Sequence, residues 1–378
     1  MIVQRFLAWA PTAPAPQRAE AAGALARAYL YSGLSRSDFQ AAEAALTMLL
    51  DDPSVDVRRN ISEALAASPF APRHIIRALA HDVPEVALPV LIMSPVLDDN
   101  ELINLIPVRG EEEQSAIAAR NPLSPSVAAA IAEIGTPMAC AVLARNVCAA
   151  LTRRTFARLS ERHGDDPSVR DALLERSDLP VTVRQSLLVT LAGTLGQTAV
   201  SRFSLNEERV RQMTQDACER ATLLLAEVSP STLPALVTHL RESGQLTTAL
   251  LLRALLNGDL DFVRAAFVEL TGLDAARVRS FFAEPYRAGF RALYRDAGLP
   301  SSAFAPFCEA VAAWAELREC GIAGASARRH AAERALAKAD TGDIAGPAEL
   351  LRRMVTEAAR EEAIEALRPY IPPRLTAA

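Results

Sequence analysis

Arginine side chains stand directly before three small polar residues at which predicted helices end. A guanidinium group binds a carboxylate or a phosphate through two parallel hydrogen bonds. Because stacked helical repeats bring equivalent positions side by side, we predict that three arginines form a row that holds a partner: Arg120, Arg145 and Arg176. In the alternative interpretation these side chains bind carbonyl groups at helix C-termini, where cations are favoured, or acids of the next repeat.

Aromatic and basic residues recur in register within FFAEPYRAGFRALYRDAG, residues 281–298. The aromatic residues return every fourth position and the arginines follow one position later: Tyr286, Phe290 and Tyr294, then Arg287, Arg291 and Arg295. On a helix that begins near Pro285, this spacing predicts an aromatic stripe beside an arginine stripe. One hypothesis is a groove that binds a partner helix or peptide. The alternatives are a core-facing stripe with a solvated flank and a small-molecule pocket lined by Tyr286 and Tyr294.

Histidine and acidic residues do not form the patterns of familiar catalytic or metal sites. The five histidines lie far apart, and the sequence has no HExxH, GxGxxG, Walker or GxSxG motif. Acidic doublets stand at predicted helix starts, where the helix dipole favours negative charge: Asp51 with Asp52, Asp98 with Asp99, and Asp165 with Asp166. We therefore predict a non-enzymatic protein with no catalytic residue, no metal and no cofactor.

The composition indicates a folded, helical chain. Of 378 residues, 50% are hydrophobic and 5% aromatic, which excludes bulk disorder. The formal charge of −5 argues against a general nucleic-acid binder, without excluding a local basic stripe. Five cysteines without a CxxC pair are typical of reduced thiols. The first apolar run stops at Pro11, and no uninterrupted run approaches the ~20 residues of a membrane span. We therefore predict a cytoplasmic location without membrane insertion.

The same helix-ending event recurs along the first half of the chain. Small polar residues end apolar-periodic segments at intervals of 26, 27, 25 and 31 residues: Ser68, Ser94, Asn121, Asn146 and Ser177. Between them lie residues that suit helix starts: Asp52 with Pro53, Asp82 with Pro84, Thr136 with Pro137, and Asp166 with Pro167. A sustained period of this length predicts a helical solenoid, in which each hairpin buries its apolar side against the next.

The unit DPSVDVRRNISEALA, residues 52–66, resembles a HEAT repeat. In that repeat an early aspartate and an arginine about six residues later form a ladder between neighbouring repeats. Ala87 replaces the arginine in the unit of Asp82, so the resemblance implies a ladder that is broken there. Three pairs match the pattern, the last of them loosely: Asp52 with Arg58, Asp178 with Arg184, and Asp166 with Arg170.

Four longer phrases span most of the chain: FLAWAPTAPAPQRAEAAGALARAYLYSGLS, AAEAALTMLLDDPSVDVRRNISEALAASPFAPRHI, SAIAARNPLSPSVAAAIAEIG and ESGQLTTALLLRALLNGDLDFVRAAF. They are similar to a bacterial family described only as a domain of unknown function, known mainly from alphaproteobacteria and built from HEAT-like helices. The resemblance implies a helical-repeat fold and a cytoplasmic location. It supplies no catalytic residues.

The predicted helices divide the chain into three parts. Residues 1–50 hold two helices that cap the first repeat, and residues 51–195 form a HEAT-like repeat block. A segment at 192–208 with two glycines and broken periodicity marks a boundary. Residues 205–378 form a C-terminal helical domain whose last helix covers 347–368. The predicted fold class is all-α, an α-solenoid of HEAT-like hairpins followed by a second all-helical segment.

These expectations lead to the hypothesis of a protein-binding scaffold or adaptor. Its helical-repeat surface would hold an unidentified protein partner, with shape and arginine side chains supplying selectivity. The alternative is a nucleic-acid-directed protein similar to the HEAT-like DNA glycosylases, which grips phosphates along the arginine row. The acidic net charge makes nucleic acid the less favoured partner. Self-association is left open by the sequence.

Overall fold

The structure is a computed structural model, and it describes Trp9 and residues 12–228, 230–339 and 347–367. These residues form 21 α-helices and no β-strand, which confirms the predicted all-α class. The chain divides into two compact units, Met1–Leu191 and Ala192–Ala378, which we call unit 1 and unit 2. Each unit contains its own cluster of buried hydrophobic side chains.

The helices of unit 1 are mostly two to four turns long. In chain order they are α1 (Ala15–Tyr31), α2 (Arg36–Leu49), α3 (Val55–Leu65), α4 (Arg73–Ala80), α5 (Pro84–Met93), α6 (Asp99–Leu105), α7 (Glu111–Ala118), α8 (Pro125–Ile134), α9 (Pro137–Arg145), α10 (Arg153–His163) and α11 (Pro167–Leu174). The next helix, α12 (Val181–Phe203), begins in unit 1 and ends in unit 2.

Helices of unit 1 pack in two layers. The odd-numbered helices α1 to α11 contact one another in succession, and α6, α8 and α10 do the same in the second layer. Burying each large apolar side chain stabilises the fold by about 1.5–3 kcal/mol relative to leaving it exposed. Five fully buried side chains follow one another along the odd layer at intervals of 26, 26, 26 and 30 residues: Leu65, Leu91, Ile117, Leu143 and Leu173.

A polar corner residue follows each of these core residues by three positions. Side-chain oxygens of Ser68, Ser94 and Asn146 each accept the amide hydrogen two residues further on, which closes the turn. These three residues lie at the predicted positions. The predicted Asn121 and Ser177 instead lie one residue beyond the corners, because Arg120 and Arg176 occupy them.

Three of the four helix starts that the proline pattern predicts lie at the expected residue. Pro84, Pro137 and Pro167 are the first residues of α5, α9 and α11, where the missing amide hydrogen costs no hydrogen bond. α3 begins later, at Val55, two residues after Pro53. There Asp52 accepts the amide hydrogen of Ser54 and also binds Arg18 of α1.

The first hairpins are joined by a short ladder of ion pairs. Arg18 binds Asp52 with nitrogen–oxygen distances of 2.8 and 2.9 Å, and Arg58 binds Asp82 at 2.6 and 2.9 Å. Each arginine therefore pairs with the aspartate of a later hairpin. The Arg18 guanidinium holds the pKa of Asp52 below its ordinary value.

The later aspartates and arginines of the predicted ladder make other contacts. Asp178 binds Arg176 at 2.8 Å. Arg184 donates instead to the carbonyl oxygens of Leu174, the last residue of α11, and of Arg176, two residues beyond it. Arg170 lies 3.3 Å from Asp171, its neighbour in sequence. The HEAT-like pattern thus predicts which residues join the hairpins. It predicts only some of the partners that these residues bind.

Within the residues that the structure describes, unit 2 contains the end of α12 and nine further helices. They are α13 (Glu207–Val228), α14 (Leu233–Glu242), α15 (Thr248–Asn257), α16 (Leu260–Thr271), α17 (Ala275–Ala283), α18 (Ala288–Asp296), α19 (Phe304–Glu319), α20 (Gly324–Leu336) and α21 (Pro347–Leu367). α15 contacts α13, α16, α19, α20 and α21. A cluster of aromatic rings with centroids 5.2–6.4 Å apart fills the space among α16 to α19: Phe267, Phe282, Phe290, Tyr294 and Phe307.

Candidate partner-binding surfaces

Arg120 lies inside unit 1, where its guanidinium group caps the end of α5. Only 9% of the residue is exposed, and its two terminal nitrogens donate to the carbonyl oxygens of Leu91 and Ser94, each at 2.6 Å. Burial lowers the pKa of Arg120 because the charged form loses solvation. The negative end of the helix dipole partly offsets that loss. These hydrogen bonds commit the side chain to the fold.

Arg176 has the same role at the end of α9. One terminal nitrogen donates to the carbonyl oxygen of Asn146 at 2.8 Å, and the rest of the guanidinium group binds Asp178. Asn146 acts in between, since its amide nitrogen donates to the carbonyl oxygens of Ala118 and Arg120, each at 2.8 Å. Successive corners are therefore linked by side chains that reach back to the preceding odd-numbered helix.

Arg145 is the exposed member of the predicted row. Its Nη2 atom lies 3.4 Å from the carbonyl oxygen of Ser168, at the limit of a hydrogen bond. The structure therefore does not bring the three predicted arginines together on the surface. Of the three, Arg145 alone is accessible to a partner.

Further arginines that the sequence did not single out also bind carbonyl groups of an earlier repeat. Arg109 donates to two carbonyl oxygens at the end of α4, and Arg162 to two at the end of α8. Each arginine lies 27 to 30 residues after the groups it binds, which is about one repeat. That separation is the signal by which these residues could have been found.

The predicted aromatic stripe belongs mainly to the core of unit 2. α18 begins at Ala288, later than the predicted start near Pro285, so Tyr286 lies in the preceding turn and not on the helix. Phe290 is fully buried, and Tyr294 is 2% exposed with its hydroxyl donating to a carbonyl oxygen at 3.1 Å. Burial raises the pKa of Tyr294. These two residues follow the core-facing alternative.

Tyr286 and its neighbouring arginines lie at the surface of unit 2. Tyr286 is 65% exposed, and its hydroxyl donates to Glu309 at 3.2 Å. The Arg291 guanidinium lies 5.1 Å from the ring centre of Phe304, a cation–π contact. Arg287 pairs with the acid three residues before it. A partner at this surface would have to replace contacts that these groups already make.

The helices α5, α7 and α9 pack side by side and expose apolar and small side chains on the outer face of the odd-numbered layer, which we interpret as a trough along α7. We assign its floor to two small residues, Ser115 of α7 and Ala119 directly after that helix; the Ser115 hydroxyl donates to the carbonyl oxygen of Glu111 in its own helix. Side chains of α5 and α9 form the two walls. Neighbouring helix axes lie about 8–10 Å apart, so the space between the walls has the width of one helix. We call this surface the trough; its residues are Leu88, Ile92 and Met93 of α5, Ser115 and Ala119 on the floor, and Met138 and Val142 of α9.

Exposure of the wall residues distinguishes the trough from the core. Ile92, Met93 and Met138 are 40%, 50% and 48% exposed, while Leu88 and Val142 are half-buried. Large apolar side chains that cluster at a surface generally mark a binding site, whereas single exposed ones need no explanation. These residues come from different helices and converge only in the folded stack.

The charges around the trough differ between its ends. Glu85, Glu111 and Glu112 are exposed in the first turns of α5 and α7. Arg145 is exposed at the last turn of α9. Because equivalent core residues repeat from one odd-numbered helix to the next, these helices run in the same direction. One end of the trough is therefore acidic, and a guanidinium group lies at the other.

Ion pairs cover the opposite, even-numbered face. Arg77 binds Glu101 between α4 and α6, and Arg158 binds Glu133 at 2.8 Å between α8 and α10. Such exposed pairs contribute about 0–1 kcal/mol each and leave the surface well solvated. The odd-numbered face is therefore the more apolar of the two layers around α7.

Unit 2 contains a cavity of about 590 Å³ among α13, α15 and α21. Asp216, Glu219 and Arg353 contribute to its wall. Arg253 is 2% exposed and binds Asp216 at 2.7 Å and Glu219 at 3.0 Å. The acids of the wall thus already have a cation. No group of three or more His, Cys, Asp or Glu side chains within the described residues is placed to hold a metal ion.

The fold and these surfaces define an all-helical protein with a two-layer stack of helices and an exposed apolar face. Residues 86–345 match the model of a family described as an uncharacterised protein conserved in bacteria, DUF2336. The chain belongs to this family. No curated protein and no solved structure matches it.

Each described helix, taken alone, falls short of the requirements of a membrane span. No single one of them is long and apolar enough to cross a bilayer. The bent pair Glu207–Val228 and Pro230–Glu242 passes the test of length and composition only when its two parts are taken together.

Proposed function

We propose that unit 1 is an α-solenoid of HEAT-like hairpins and that the protein is a non-enzymatic scaffold or adaptor, which binds a helical segment of another protein in the trough. The exposure of Ile92, Met93 and Met138 around a floor of small residues carries this proposal. Apolar side chains at such positions form the pockets into which an amphipathic helix places its anchors. The repeat period and the two-layer packing support the solenoid.

The charges at the trough indicate the chemistry of the partner. A helix with lysine or arginine near one end of its apolar face would complement Glu85, Glu111 and Glu112. An acid near its other end would bind Arg145. Charge complementarity of this kind accelerates association and fixes the orientation of the bound segment.

All five cysteines are free thiols, which supports the proposed cytoplasmic location.

Site-specific photo-crosslinking in the native bacterial host tests where the partner binds. A photoreactive amino acid is placed at Ala119, on the floor of the trough, and in a second variant at Glu161, exposed on α10 of the even-numbered face. We expect a reproducible protein adduct from position 119 and none of that mass from position 161. Adducts to DNA would support the nucleic-acid alternative, and equal adducts from both positions would contradict a site in the trough.

Two exposed methionines provide a matched test of the wall. Met138 borders the trough, whereas Met48 of α2 lies outside it; they are 48% and 67% exposed. With the crosslinker at residue 119, Met138→Glu should reduce the adduct about tenfold, since an uncompensated charge would be buried under the partner. Met48→Glu should leave it unchanged. Equal unfolding temperatures would show that both variants fold, and an undiminished adduct in Met138→Glu would refute the proposed wall.

A further inference from the structure

One face of α13 in unit 2 is apolar and exposed to solvent. Met213 and Leu224 are each 62% exposed and Val228 is 81% exposed, with Ala217 exposed and Ala221 half-buried between them. Successive spacings of 4, 4, 3 and 4 residues place all five on one side of the helix. We call this surface the α13 stripe.

The opposite side of α13 supplies the core of unit 2. Four of the five buried residues of α13 lie on that side: Glu219, Thr222, Leu223 and Ala226. The fifth, Val210, lies beside Gly196 of α12, before the first residue of the stripe. The α13 stripe is therefore not part of the core that the helix already forms. Three large apolar side chains exposed in one line favour an interaction with another surface.

From Met213 to Leu224, the order of side chains along the stripe is nearly the same in both directions, and Val228 extends it at one end. Large residues, Met213 and Leu224, flank the two small residues Ala217 and Ala221. If a second α13 lies antiparallel, with a two-fold axis near residues 218 and 219, Met213 faces Leu224 of the second copy. The alanines then meet near the axis, where small side chains allow close approach of the helices. Such self-complementarity is the requirement of an isologous dimer.

Two exposed charges at the edge of the stripe, Arg209 and Glu227, suit the same arrangement. A third, Arg220, lies on that edge near the axis and is paired with Glu357 of its own copy. Arg209 and Glu227 are both exposed, and they lie eighteen residues apart, which is five helical turns. They therefore stand on the same side of α13 near opposite ends of the stripe. Antiparallel pairing brings Arg209 beside Glu227 of the second copy, twice by symmetry. Parallel pairing would place like charges together.

The surroundings of Glu227 favour the approach of a cation. Asp259 lies close enough to Glu227 to be affected by its charge; burial is the main cause that raises the pKa of Asp259, and the charges of Asp261 and Glu227 raise it further. An arginine from outside would reduce this repulsion.

We propose that the chain forms an antiparallel homodimer through the α13 stripe, with Arg209 of each copy bound to Glu227 of the other. This interface is separate from the trough in unit 1 and does not depend on the proposed partner. We favour a second copy of the chain at this surface, because two antiparallel stripes match each other in side-chain size and in charge.

Sedimentation equilibrium of the full chain tests the dimer. The wild-type protein should sediment at twice the chain mass at micromolar concentration. Leu224→Glu should be monomeric, because two carboxylates would be buried without partners. Ile322→Glu, at a residue 46% exposed elsewhere in unit 2, should remain dimeric and serves as the matched control. A monomeric wild-type protein, or a dimer that persists in Leu224→Glu, would overturn the proposal.

Charge reversal tests the antiparallel arrangement. Arg209→Glu places two acids together at both ends of the interface, and the dimer dissociation constant should rise at least about tenfold. The double variant Arg209→Glu with Glu227→Arg should restore the wild-type constant, because both pairs re-form in the opposite sense. Circular dichroism would verify that each variant is folded. Failure of the double variant to restore the dimer would refute the assigned pairs. A wild-type protein that is monomeric and floats with lipid vesicles would refute the dimer itself.

Discussion

Buried arginines act as helix caps in unit 1. Arg120 satisfies the carbonyl groups of Leu91 and Ser94 at the end of α5, groups that a helix leaves without an internal partner. Asn146 and Arg176 repeat this contact one and two repeats later. The cost of burying a guanidinium group is offset only while these hydrogen bonds are complete, so each corner is sensitive to truncation.

Replacement of Arg120 by alanine should destabilise unit 1 strongly. The change leaves two buried carbonyl groups unpaired and removes the packing of a long side chain, so we expect a loss of about 2–4 kcal/mol in the free energy of unfolding, measured by urea denaturation. Arg145→Ala is the matched control, because the same residue type precedes the next corner but is exposed. It should change stability by no more than about 0.5 kcal/mol. Equal losses in both variants would contradict the capping role of Arg120.

The sequence pattern identified these arginines but could not show whether each side chain faces solvent or the interior of unit 1. Polarity at the corners predicts a turn, and Asn121 and Ser177 satisfy that pattern as well as the arginines beside them. A shift of one residue decides which side chain turns inward, and this depends on the carbonyl groups of a helix one repeat away. The trough was missed for the same reason, since Met93, Ala119 and Met138 converge only after the helices stack.

At the scale of helices, two glycines end α15 and α16 in the left-handed conformation. Gly258 has a φ of +88° and Gly272 a φ of +68°. Their surroundings differ, because a β-carbon on Gly258 would lie 2.9 Å from the indole ring of Trp314, while one on Gly272 would meet no atom within 4 Å. The indole nitrogen donates to the carbonyl oxygen of Leu255 at 2.6 Å, which fixes the ring against the end of α15.

Alanine at these two positions should separate backbone strain from steric overlap. Gly272→Ala should cost about 1 kcal/mol, the penalty of a left-handed conformation with a β-carbon. Gly258→Ala adds displacement of the Trp314 ring, so we expect a total loss of about 2–4 kcal/mol and a change in tryptophan fluorescence. Thermal unfolding of both variants measures the difference. Equal losses, with fluorescence unchanged, would show that Trp314 does not restrict this helix end.

Local sequence signals predicted where helices begin better than they predicted which residues each helix contacts. Pro84, Pro137 and Pro167 start helices because the proline ring affects only its own turn. α18 starts at Ala288, later than Pro285 predicts, and its Gly289 lies so close to Phe281 of α17 that a β-carbon there would be only 2.8 Å from the ring. Tyr286 therefore lies outside α18, and the approach of α17 to α18 depends on residues of both helices. No periodicity within one helix could show it.

At the scale of the whole molecule, different kinds of interaction stabilise the interior of each unit. Unit 1 repeats one pattern of buried leucines and carbonyl-binding side chains along a stack, so each hairpin contacts mainly its neighbours. In unit 2, α15 lies among several helices, and Arg253 ties it to α13 through Asp216 and Glu219. Loss of the Arg253 side chain should therefore destabilise the helices of unit 2 that contact α15, without destabilising the stack of unit 1.

Hydrogen exchange measured by mass spectrometry tests this separation. Arg253→Gln leaves Asp216 and Glu219 without their buried cation, which should cost about 3–5 kcal/mol and reduce amide protection throughout α13, α15 and α21. Arg220→Gln removes an exposed pair with Glu357 from the edge of the same network and should leave protection nearly unchanged. In both variants α3 to α9 should keep wild-type exchange rates. Faster exchange in those helices of Arg253→Gln would mean that the stability of unit 1 depends on unit 2, and would contradict the independence of the two cores.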